Sequence, residues 1–143
     1  MNPLEFINRE CELQQDDSAE SISGFKIAYI IAYTAVYKAW EVDIDLILML
    51  GKLTKPDRNS KGFRKTPVVF SNGKSGAPYS EIERMLNNLL QAKGIITPLE
   101  FYVEFEKIHP FEDGNGRVGA LLYNIFNGTI FDPVLPPEAL TSF

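Results

Sequence analysis

The chain contains a single histidine, His109, so any imidazole chemistry it performs must run through that residue, and two-histidine metal sites are excluded. It opens the segment His109-Pro-Phe-Glu-Asp-Gly-Asn-Gly-Arg117. Gly114 and Gly116 stand at the start of a helical pattern, where unbonded backbone N–H groups and the helix dipole attract anions. Larger side chains there would keep a phosphate from the amides. Asn115 offers a side-chain donor and Arg117 a forked, permanent charge. The result is a phosphate cradle without the lysine or spacing of a P-loop. Asp113 is placed to hold a Mg²⁺ (or Mn²⁺) bridging phosphate oxygens. His109, at the end of the preceding helix, is within reach as a base for an attacking hydroxyl. Phe111, apolar in a polar turn, reads as the loop's anchor in the core.

Several elements must position this segment. Residues 19 to 40 read as a helix apolar nearly all round, which places it in the middle of a bundle. Asp43 caps a helix running to Leu53, with Ile44, Ile47 and Leu48 inward. Thr54 to Gly62 is a loop by composition. Thr66-Pro-Val-Val-Phe-Ser-Asn-Gly-Lys74 predicts a β-hairpin turning at Asn72-Gly73. Ser80-Glu-Ile-Glu83 has the pattern of a capping box, ahead of Ile82, Met85, Leu86, Leu89 and Leu90 at helical spacing. Thr97-Pro-Leu-Glu100 is a second box, opening a helix that ends at His109-Pro110. A last helix starts near Asn115, with Val118, Leu121, Leu122, Ile125 and Phe126 on one face. The expected fold class is all-α, a helical bundle with one β-hairpin.

Composition narrows the function. The 143 residues are 45% hydrophobic and 23% charged, ordinary values for one globular domain. A net charge of −5 and a pI near 4.9 argue against a nucleic-acid partner, which needs a basic face. One cysteine, Cys11, allows no internal disulfide. No signal peptide is visible at the start, and the longest apolar run is too short to span a bilayer. These readings predict a cytoplasmic protein without membrane attachment; delivery into another cell would leave no mark in such a sequence.

The segment from His109 to Arg117 resembles the signature of the Fic family, His-x-Phe-x-(Asp/Glu)-Gly-Asn-Gly-Arg-x-x-Arg. Gly62-Phe-Arg64 followed by Thr66 to Phe70 is similar to the family's Gly-aromatic-Arg and flap. Residues 20 to 128 follow the order of a Fic core. The resemblance implies a helical protein adenylyltransferase, moving AMP from ATP to a Ser, Thr or Tyr hydroxyl of a target protein. It implies His109 as general base, Asp113 as metal ligand and Gly114, Asn115, Gly116 and Arg117 as the anion hole. It implies that Thr66, Val68, Val69 and Phe70 of the flap dock a target segment by strand addition. The family's second arginine, which grips the outer phosphates, is replaced by Ala120.

The segment Phe6 to Glu12 faintly resembles the family's inhibitory stretch, with Glu12 at the inhibitory position. Residues 1–18 are therefore read as an N-terminal segment and 19–143 as the Fic domain. An inhibitory or antitoxin partner also fits the family. Relatives that move UMP, phosphocholine or phosphate define the alternative reading, as does a degenerate domain that binds nucleotide or protein without turnover. Gly116 favours nucleoside monophosphate transfer over phosphorylation, because Doc-like chains carry lysine there.

Overall fold

The computed structural model describes residues 1–137. Its elements are α1 (Pro3–Leu13), α2 (Ala19–Tyr37), α3 (Ile44–Thr54), the one-turn α4 (Pro56–Asn59), α5 (Ile82–Gln91), α6 (Pro98–Ile108) and α7 (Asn115–Phe126). Helix α2 packs on α3, and α7 lies against α6, α2, α3 and α1. The core between them is closed by Phe25, Ile47, Leu50, Leu86, Phe101, Phe105 and Leu121, all buried. The fold is all-α, as expected. None of the described helices is long and apolar enough to cross a membrane.

Local chemistry fixes the helix starts. Asp43 accepts from the Leu46 amide at 2.9 Å and caps α3. The reciprocal box at α6 is complete: Glu100 N–H donates to Thr97 Oγ1, and Thr97 N–H donates to Glu100 Oε1. Ser18 caps α2 in the same way through the Ser21 amide.

Three expectations need correction. Ser80 caps nothing; a single 3₁₀ turn over Tyr79–Glu81, entered from Pro78, leads into α5 instead. The hairpin at 66–75 is not a two-stranded ribbon but a loop with one antiparallel bridge, Val69 to Ser75. Its turn does form, with Gly73 at φ 83° and its amide on the Phe70 carbonyl. Prolines at 67 and 78 bound the segment, and among the described residues no sheet lies beneath it, so pairing does not extend. Finally, α2 is not wrapped on every side: Ile27, Ile30, Tyr33 and Tyr37 are exposed along one stripe, with Trp40 beyond the helix end.

Helix α1 belongs to the same body. Asn2 caps it, accepting from the Glu5 amide, and Phe6, Ile7 and Cys11 enter the core. The ring of Phe6 meets those of Phe25 and Tyr29 at 5.9 and 6.2 Å.

Candidate functional site

Two backbone reversals carry the motif. Helix α6 ends at His109, which takes the left-handed conformation at φ 53°, and α7 begins after Gly114 at φ 81°. Glycine reaches that conformation without strain and histidine does not, so something must hold His109 there. Arg64 does this. Its guanidinium, only 3% exposed, donates to the carbonyls of His109 (2.6 Å), Ile108 (3.1 Å), Thr66 (2.8 Å) and Ala77. The carbonyls at the end of α6, which lack intrahelical partners, thereby gain a cation where the helix dipole favours one, and that of Ile108 also accepts from the Ala77 amide at 3.2 Å.

The loop from Pro110 to Gly114 is fixed from inside. Phe111 is fully buried, its ring 5.4 Å from that of Phe63, and it fills the space where Gly51 has no side chain. Asn115 closes on the same residue from both sides, accepting from the Phe111 amide (2.8 Å) and donating to its carbonyl (2.9 Å). These two bonds hold the loop and leave the second N–H of the Asn115 carboxamide, which also lines the cleft described next. Asn59, which sequence reasoning left in an unassigned loop, is buried and donates to the carbonyls of Asp113 (2.7 Å) and Gly51 (3.0 Å).

A cleft opens above these supports, enclosing about 200 Å³, lined among others by Gln14, Phe70, Glu106, His109, Asp113 and Gly114 to Arg117. The sequence-predicted His109, Asp113, Gly114, Gly116 and Arg117 meet here. The amides of Asn115, Gly116 and Arg117 stand in the first turn of α7, where no intrahelical carbonyl reaches them. Asp113 Oδ1 accepts from the Gly114 amide at 2.8 Å and lies 3.6 Å from Arg117 Nη2. Arg117 is 1% exposed, and its Nη1 lies 3.1 Å from Asp16 Oδ2.

The imidazole is biased toward its neutral form. Burial, and then the positive charge of Arg64, push the His109 pKa below its ordinary value, against the pull of the Glu106 carbonyl and Asp113. The ring stands edge-on to Phe70 at 5.0 Å, so one flap residue expected at the docking rim touches the predicted base. Thr66 and Val69 are exposed and Val68 is half-buried.

The N-terminal helix contributes differently from what Glu12 suggested. Glu12 is exposed, on the side of α1 away from the cleft. The side chain reaching the motif is Gln14, whose carboxamide occupies the space that a Cβ at Gly116 would need. Gln14 donates to Glu10 Oε1 at 3.1 Å. Glu10 is buried, and burial raises its pKa to about 7 despite that hydrogen bond and the charge of Arg117. Glu106 is also buried; desolvation and then the charge of Glu10 raise it to about 8. Ala120 is fully buried in the core and does not line the cleft.

Among the described residues no three His, Cys, Asp or Glu side chains gather as a metal cage. Asp113 fits a different arrangement, in which a hard cation takes one carboxylate and completes its shell from phosphate and water.

Known proteins match both the sequence and the fold. The chain is 38% identical over 129 residues to a probable protein adenylyltransferase of Aquifex aeolicus, covering 80% of this chain and 40% of that protein. It spans well under half of that relative's length. Fic-1 of C. elegans superposes with a TM-score of 0.67 at 23% identity, over 81% of this chain and 38% of that one. A Fic-domain signaling protein from Bacteroides thetaiotaomicron gives 0.61 at 20% identity, over 86% and 57% of the two chains. The model of the Fic/DOC family matches residues 42–127, a span holding His109, the loop it opens and the arginine that holds its backbone, and the chain therefore belongs to the Fic/DOC family.

Proposed function

We propose that the chain is the transferase domain of a protein adenylyltransferase, acting on a Ser, Thr or Tyr hydroxyl of a target protein with ATP as donor. The observation that carries this reading is the meeting of a half-buried imidazole with a lowered pKa and an anion-binding helix start in one cleft. The name of the Aquifex relative supports the same reaction.

In this scheme the free nitrogen of His109 takes the proton of the target hydroxyl as its oxygen attacks the α-phosphorus. A new P–O bond forms, the bond to the β-phosphate oxygen breaks, and pyrophosphate leaves. The amides at the start of α7 and the guanidinium of Arg117 stabilise charge on the phosphate oxygens. Asp113 would hold Mg²⁺ or Mn²⁺, which when bound neutralises charge on the leaving pyrophosphate. The rim of Thr66, Val68, Val69 and Phe70 would receive an extended target segment beside His109.

ATP labelled at the α- or the γ-phosphate, incubated with a cell lysate, tests the reading. Protein-bound label from the α-position supports it. Label from the γ-position alone replaces it with phosphorylation, and none from either replaces it with a binding domain or another donor.

Two further results are expected. Asp113→Ala should remove activity together with its dependence on divalent metal, read by metal titration of the transfer rate; full wild-type activity in excess chelator would refute the metal role. The pH profile follows from His109. A base works only when deprotonated, and its pKa is depressed. The acid limb of kcat/KM should therefore fall below pH 6.5 (the ordinary histidine value), and Arg64→Gln should move it upward if the variant folds. A limb above 6.5 would contradict the half-buried, cation-flanked imidazole.

A further inference from the structure

A carboxylate sits between two cations, Lys55 and the motif's own Arg117. Asp16, in the turn joining α1 to α2, places one oxygen, Oδ2, 3.0 Å from Lys55 Nζ and 3.1 Å from Arg117 Nη1. The Lys55 ammonium also donates to Ser21 Oγ at 3.2 Å. Burial alone would raise the Asp16 pKa, but hydrogen bonds from Ser21 and Lys55 and the charge of Arg117 bring it to about 2. It stays ionised at working pH.

The fit of this carboxylate is incomplete. Arg117 is buried, yet its Nε and Nη1 have no aligned acceptor: Asp16 is close to Nη1 but off the N–H direction. Thr54 Oγ1, fully buried in the neighbouring wall, also lacks a partner. That wall adjoins the motif, since a Cβ on Gly114 would meet Thr54 Cγ2 at 3.1 Å and Lys55 Cβ at 3.8 Å. Lys55, Thr54 and Ser21 line a second cleft on this side.

A triphosphate needs more positive charge than Arg117 supplies. Arg64 is spent on carbonyls, Arg58 pairs with exposed Glu112 at 3.6 Å, and Ala120 contributes none. Lys55 is the cation that already shares one oxygen with Arg117 as a close neighbour. A phosphate carries more acceptor oxygens than a carboxylate, and can reach the donors that Asp16 leaves unmet.

We infer that Lys55 is a further phosphate-binding residue of this site, sharing the outer phosphate of a nucleoside triphosphate with Arg117, and that Asp16 is the internal anion this phosphate displaces. The inference rests on the nucleotide-donor reading above and names how that donor's outer end is held.

Calorimetry on the full chain with tripolyphosphate, ATP and AMP tests it. Lys55→Gln should weaken tripolyphosphate and ATP about ten- to a hundredfold and leave AMP within about twofold. Asp16→Asn should tighten both triphosphates about tenfold, with Asp16→Ser as a second variant if the first melts early. Unchanged triphosphate affinity in a Lys55→Gln protein that melts like wild type overturns the assignment. Weaker binding by a folded Asp16 variant overturns the displacement. The absence of tripolyphosphate binding to both wild type and Asp16→Asn overturns the whole proposal. Label transfer from the α-phosphate is scored separately, so Lys55-dependent binding without transfer would sink the activity reading and leave this one standing.

Discussion

His109→Ala should lower protein adenylylation by about 10²–10⁴-fold, the usual loss for a positioned base, while ATP affinity changes little. The separation is expected because the phosphate contacts proposed above fall to other groups, the amides of α7, Arg117 and Lys55. The fold should survive as well. Residue 109 is held left-handed by Arg64 through its carbonyl, not through its ring, so the hold survives the loss of the imidazole although alanine takes this conformation less readily than histidine. The ring's neighbour Phe70 loses one edge-on contact on a half-buried flap. Rates under saturating ATP, with affinity measured in parallel, check this. Near-wild-type transfer would end the general-base assignment, and a large loss of ATP affinity would make His109 a binding group instead.

Arg64→Ala should be the most destabilising single change near the site. It leaves the carbonyls of Thr66, Ala77, Ile108 and His109 without their shared donor, some of them in the interior. Each buried carbonyl left unmet costs about 1–3 kcal/mol, so a loss of about 3 kcal/mol or more is expected even if water reaches some of them. For a domain of this size that lowers Tm by about 10 °C. Lysine should not rescue it, because one ammonium cannot present donors in four directions to a planar fork's targets. Activity should fall further than stability explains, since the released backbone of His109 no longer has a reason to stay left-handed. A thermal melt close to wild type would show that the flap and α6 are joined by something other than this side chain.

What was legible in the sequence was local. The Asp43 cap, the Thr97–Glu100 box and the phase of α7 are set by residues three or four positions apart, and each formed as read. The motif was legible for the same reason: its residues lie together in the chain and line one cleft. Ser80-Glu-Ile-Glu83 failed because Pro78, two residues before it, is extended and opens a 3₁₀ turn over Tyr79–Glu81, so Ser80 lies inside that turn and not at a helix start. The supports were not legible. Arg64 meets Ile108 across 44 residues, Asn59 meets Asp113 across 54 and Asp16 meets Lys55 across 39, and no periodicity announces such pairings. Gln14 could have been found. Phe6, Ile7, Glu10, Cys11 and Gln14 share one helical face, and Glu12 lies on the opposite one.

The small amide of Asn59 joins the last turns of α3 to the motif loop, binding Gly51 and Asp113 with the same nitrogen. Local openings of that loop are thereby coupled to fraying of α3, since neither can move away without stranding the shared donor. In native-state hydrogen exchange, the loop amides should behave as part of the α3 unit, with protection above that of an ordinary surface turn. Slow-exchanging protons would then mark the motif loop as one of the rigid parts of the molecule.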